Sequence, residues 1–147
     1  MVGPAEFFEV AEYKLGERFL RDGYVIQAVE DLDNLERIRR VVTVAASRHL
    51  GFGSDEPDVF LNHIHRYVSV ENLNDFRLQV IDNLNVEPSS RPRYYSLARH
   101  ALAALVGNEL AMQLRLNLSI QLPGYNSSLL PVHADVWSGD SPFEVVV

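Results

Sequence analysis

Met112-Gln113-Leu114-Arg115-Leu116-Asn117-Leu118-Ser119-Ile120-Gln121-Leu122 alternates apolar and polar residues without a break. In extended backbone successive side chains point to opposite faces, so the apolar set shares one face and the polar set the other. A period of two over this length reads as a strand with one face on a hydrophobic layer. Pro123-Gly124-Tyr125-Asn126 then reads as a turn. Residues 129–136 read as a second extended stretch and 143–147 as the start of a third, inside which the chain ends. A close on valines with no turn or polar residue is expected of a longer gene cut short.

Upstream the period changes. Residues 5–21 place Phe7, Phe8, Ala11, Leu15, Phe19 and Leu20 at three- and four-residue spacing, and Gly23 follows as a helix stop. Tyr24-Val25-Ile26-Gln27-Ala28-Val29 is rich in β-branched and aromatic residues and reads as a short strand. Asp33 with Glu36 forms a capping box for a helix running to Leu50, with Leu35, Ile38, Val41, Val42 and Ala45 inward and Gly51-Phe52-Gly53 closing it. Pro57 suits the first turn of a short helix through Ile64. Residues 70–84 form a helix burying Leu73, Phe76, Val80, Ile81 and Leu84; 88–92 form a loop; 93–106 form a helix stopped by Gly107. The expected fold is α+β in one domain over 1–147: a mostly helical part, 1–107, packed on a partial, mainly antiparallel sheet within 108–147.

Composition narrows the class. Of 147 residues, 47% are hydrophobic and 22% charged, ordinary values for a folded globular chain. No apolar run approaches the ~20 residues that span a bilayer, and Met1-Val2-Gly3-Pro4-Ala5-Glu6 lacks the basic start and apolar stretch of a secretory signal. The absence of cysteine excludes disulfides and thiolate chemistry and is compatible with a cytoplasmic location. Twenty acids against 13 bases give a net charge of −7, which argues against a nucleic-acid partner. The densest basic knot, Arg37, Arg39 and Arg40, follows acids and reads as a solvated helix face.

His133-Ala134-Asp135 is the sharpest local feature. In extended backbone positions i and i+2 point to one side, so an imidazole and a carboxylate can reach one ion. A third ligand would complete a facial triad with open coordination positions. The spacing alone is common by chance. His63 and His65 share it, but on a helix they diverge by about 200°. His49 and His100 lie near helix ends and read as structural. Tyr94-Tyr95 reads as core and rim of a helix, and Gly51-Phe52-Gly53 lacks the setting of a phosphate loop.

The stretch Leu130-Pro131-Val132-His133-Ala134-Asp135-Val136-Trp137-Ser138-Gly139-Asp140 resembles the first ligand motif of iron(II)/2-oxoglutarate-dependent oxygenases, in the phytanoyl-CoA dioxygenase-like branch. Residues 141–147 resemble a subgroup from carbohydrate-biosynthesis clusters. Phe19-Leu20-Arg21-Asp22-Gly23-Tyr24-Val25-Ile26 resembles the opening of that branch. The resemblance implies a double-stranded β-helix, or jelly roll, with His133 and Asp135 as Fe(II) ligands and 2-oxoglutarate as co-substrate. It implies hydroxylation of a small-molecule, sugar-related substrate. Asn117, Ser119 and Gln121 would line the co-substrate pocket, or else face solvent, and Trp137 would cover the site or pack beside it. No residue matches the family's second histidine or its co-substrate arginine, so this chain is expected to be an inactive N-terminal fragment. The alternative is a non-catalytic α+β domain without a metal site that forms a homodimer through open strand edges. A third reading is a metal-binding module that adds His63 or His65 to His133 and Asp135.

Overall fold

The computed structural model describes residues 9–107, 109–126 and 146. Its regular elements are helices: α1 (Val10–Asp22), α2 (Leu32–Leu50), α3 (Pro57–Asn62), a 3₁₀ turn (Ile64–Arg66), α4 (Leu73–Val86), α5 (Ser90–Ser96) and α6 (Arg99–Val106). Among the described residues there is no strand. The α+β expectation, and with it the partial jelly-roll sheet, is therefore corrected to an all-helical fold.

The physical reason is clearest at 112–122. From Leu116 on, the segment keeps the alternation read from sequence: Leu116 and Leu122 are buried, Leu118 and Ile120 half-buried, and Asn117, Ser119 and Gln121 exposed; Leu114, 84% exposed, breaks it. Among the described residues the segment has no neighbouring strand. Side chains take that place. The Asn85 amide pairs with the backbone of Leu116, with Nδ2 donating to the carbonyl at 2.9 Å and Oδ1 accepting from the N–H at 2.8 Å. The Arg91 guanidinium donates to the carbonyls of Gln113 (2.8 Å) and Met112 (2.7 Å). Backbone polar groups need partners, and a ladder is only one way to supply them.

Local chemistry explains the helix bounds. Glu9 N donates to Glu12 Oε2 at 2.9 Å at the start of α1, and Gly23, at φ 77°, closes it by donating to the Phe19 carbonyl. That left-handed conformation is open to glycine at little cost. The cap of α2 is Asp31, not Asp33 with Glu36: Asp31 Oδ1 accepts from Asn34 N at 2.9 Å. Glu36 instead forks to Arg39 and Arg40, one turn on. Pro57 opens α3 as expected, and the helix stops at Asn62 before the 3₁₀ turn. The expected loop at 88–92 is partly helical, because Pro92 falls in the first turn of α5, where a missing N–H costs nothing. The single helix expected over 93–106 breaks at Ala98, whose φ of −129° and ψ of 10° are not helical. Residues 24–29 are an irregular connection, not a strand.

The chain forms two compact units. The first comprises Met1–Val41 and Leu84–Leu116. In it α1 packs on α6, yet neither helix has a buried residue. Leu15, Gly16 and Phe19 of α1 and Ala101, Leu102, Ala104 and Leu105 of α6 are only half-covered. The start of α2 is tied to α5: Asn34 Nδ2 donates to Ser96 Oγ (2.9 Å), and Ser96 Oγ donates to the Arg93 carbonyl (2.7 Å). The buried described residues of this unit are Leu84, Ser90 and Leu116.

Ser90 is 1% exposed, and its Oγ has no hydrogen-bond partner among the described residues. A buried hydroxyl left unpaired carries its full desolvation cost, so Ser90→Ala is expected to stabilise the fold by about 1 kcal/mol. A urea titration checks this; a fall in the midpoint contradicts it.

The second unit comprises Val42–Asn83 and Asn117–Val147. Its core joins Ala45 and Ala46 of α2, Phe60 of α3, Val68, the Leu73, Phe76, Val80 and Ile81 face of α4, and Leu122. The His49 ring meets Phe76 edge-on, with centroids 5.4 Å apart. Phe52, Phe60 and Tyr67 form an aromatic cluster, with Phe52 edge-on to Tyr67 at 5.0 Å.

Candidate functional site

Among the described residues, those singled out from sequence do not converge. His133, Asp135 and Trp137 lie outside the described residues. Asn117, Ser119 and Gln121 are exposed on irregular backbone, and Asn117 Oδ1 is engaged by the N–H of Leu118 at 3.0 Å. Among the described residues no strand lies beside them. His63 and His65 stand with ring centroids 6.3 Å apart, and His63 Nδ1 meets the Val59 carbonyl at 2.8 Å. Among the described residues no group of three or more His, Asp or Glu side chains is placed to hold a metal ion.

Two features of the first unit stand out instead. One is a polar depression of about 520 Å³ lined by Glu30, Asp31, Leu32, Asp33, Ser96, Arg99 and His100. His100 Nδ1 meets Glu30 Oε2 across it, which joins α6 to the chain just before α2. The pair is exposed, at 78% and 57%, so its contribution to stability is small. At the rim, the N–H of Asn34 holds the Asp31 carboxyl below the ordinary carboxylate range against the opposing effect of desolvation, with Asn34 and Ser96 side chains and the Arg93 charge assisting.

A depressed folded-state pKa contributes stability above the unfolded carboxylate value of about 3.9 and loses it as pH falls through the folded value. Asparagine caps as well as aspartate but carries no charge. Asp31→Asn is therefore expected to lower the melting midpoint by a few degrees at neutral pH. The gap from the wild type should close as pH drops below about 4. A gap that stays constant down to acid pH would contradict the charged cap.

The other feature is apolar. Val10, Tyr13 and Leu20 of α1, then Tyr24, Ile26 and Leu32, are all exposed, Leu20 to 86% and Ile26 to 78%. The stripe read from sequence turned Leu20 inward with Phe19. The structure half-covers Phe19 and leaves Leu20 in solvent, since adjacent helix positions lie about 100° apart. Six exposed large side chains within one short stretch are more than the scattered apolar residues of an ordinary surface. The sequence carried their chemistry but not their exposure.

No family model, curated protein or solved structure matches the chain. Together with the absence of any strand among the described residues, that finding overturns the assignment to the dioxygenase family, and with it the jelly-roll, iron and dioxygenase descriptions. Among the described residues no helix is long and apolar enough to cross a membrane.

Proposed function

We propose that this chain is a self-associating helical domain whose first unit supplies the contact surface. It is the alternative raised by the sequence, moved from strand edges at 112 and 143 to the α1 side of a helical unit. One observation carries it: Val10, Tyr13, Leu20, Tyr24, Ile26 and Leu32 are exposed on a unit whose paired helices bury no residue of their own.

Burying apolar surface stabilises association at about 25 cal/mol per Å², and a thinly covered helix pair gains most from it. The charge balance fits a selective surface. A chain at −7 repels its copies in general, and within 10–32 the uncharged run 24–29 is where that repulsion is least. A cytoplasmic location belongs to the same proposal and is supported by the absence of cysteine.

Sedimentation equilibrium tests the reading. A dimer is expected at concentrations on the order of 100 µM and below, and Leu20→Ser with Ile26→Ser should shift it toward monomer. Both side chains are exposed, so the substitutions leave the monomer fold intact. A wild-type chain that stays monomeric across that range overturns the proposal.

A further inference from the structure

Resting on the self-association just proposed, we infer that two copies join by pairing their 24–29 segments as antiparallel β-strands. The sequence Tyr24-Val25-Ile26-Gln27-Ala28-Val29 has the composition of a strand. Among the described residues it finds no partner: none of 24–29 makes a hydrogen bond there. Helix and sheet normally consume such backbone groups, and an unpaired row of them is a template for another chain.

The segment is largely open to solvent: Tyr24, Ile26, Gln27 and Ala28 are exposed, and Val25 and Val29 are half-covered. The backbone is also held in place at both ends. Gly23 N is fixed to the Phe19 carbonyl, and the Glu30–His100 contact and the Asp31 cap fix the other end. Ordering the segment for a partner therefore costs less than ordering a free tail.

Charge selects the partner and the direction. The segment itself carries no charge in a chain of −7, so two copies can meet there. Its ends differ: the exposed Arg21–Asp22 ion pair, neutral as a whole, precedes it, and the two acids Glu30 and Asp31 follow it. Antiparallel pairing sets each acidic end against the neutral end of the other copy, whereas parallel pairing would set the two acidic ends together. Antiparallel pairing of identical segments also closes as a two-fold dimer.

The chain has no cysteine, which permits a clean cross-linking test. Single cysteines at each of positions 24–29 are expected to give covalent dimer under mild oxidation, with a peak inside the segment. Arg40→Cys, on exposed α2, serves as the background. Proline removes a backbone donor, so Gln27→Pro should weaken the dimer by about tenfold or more while helical circular dichroism is unchanged. A dimer that persists in Gln27→Pro, with no position in 24–29 cross-linking above Arg40→Cys, overturns strand pairing and leaves self-association standing. A monomeric wild type overturns both.

Discussion

Phe76→Ala is expected to destabilise the fold by about 3–5 kcal/mol, the largest effect of any single truncation considered. Phe76 is 2% exposed on the face of α4 that also carries Leu73 and Val80, and the His49 ring abuts it at 5.4 Å. Truncation removes the transfer free energy of the ring and leaves a cavity that helices fixed on both sides fill only in part. With a urea slope of about 2 kcal/mol per molar, the midpoint should fall by about 2 M at an unchanged slope. Phe76→Leu keeps most of the volume and should cost about 1.5 kcal/mol. A Phe76→Ala midpoint within 0.5 M of the wild type, on the same estimate of slope, would mean that α4 does not hold the core.

That core was legible before any coordinates. Leu73, Phe76, Val80, Ile81 and Leu84 recur at helical spacing, and all five are buried. Helix spacing is a local property, and glycine stops such as Gly23 and Gly51 act locally too, at φ 77° and 75°. The break at Ala98 was not legible, because no glycine or proline marks it. The misreadings at 24–29 and 112–122 share one cause. Period two and β-branched content report extended backbone with one apolar side. They do not report what receives the backbone hydrogen bonds. In 112–116 the answer lies 21 to 31 residues away in Arg91 and Asn85, two ordinary polar residues with no motif around them. The metal pair His133 and Asp135 rests on extended backbone, which sets i and i+2 on one side, and lies outside the described residues.

Asn85 is the sharper test of this architecture, because a single amide does the work of a missing strand. Its two bonds to Leu116, at 2.9 and 2.8 Å, satisfy both backbone groups of a residue only 7% exposed. Asn85→Ala removes both partners at once and leaves a buried N–H and C=O without them, at a cost of about 2–3 kcal/mol. Asn85→Asp should cost at least as much. The carboxylate still accepts from the Leu116 N–H, but it loses the donor and sets a negative charge against the Leu116 carbonyl. Hydrogen exchange reads the effect residue by residue: the Leu116 amide should lose protection in Asn85→Ala and keep it in Asn85→Asp, while the amides of Phe76 and Val80 keep theirs in both, relative to the global stability. Arg91→Ala removes the two neighbouring bonds, and combined with Asn85→Ala it should free residues 112–116 as a unit, with a non-additive loss. If the segment were instead a strand of a sheet, its protection would rest on backbone partners, and neither side chain would change it. A Leu116 amide equally protected in the wild type and in Asn85→Ala would therefore show that Asn85 does not hold this segment.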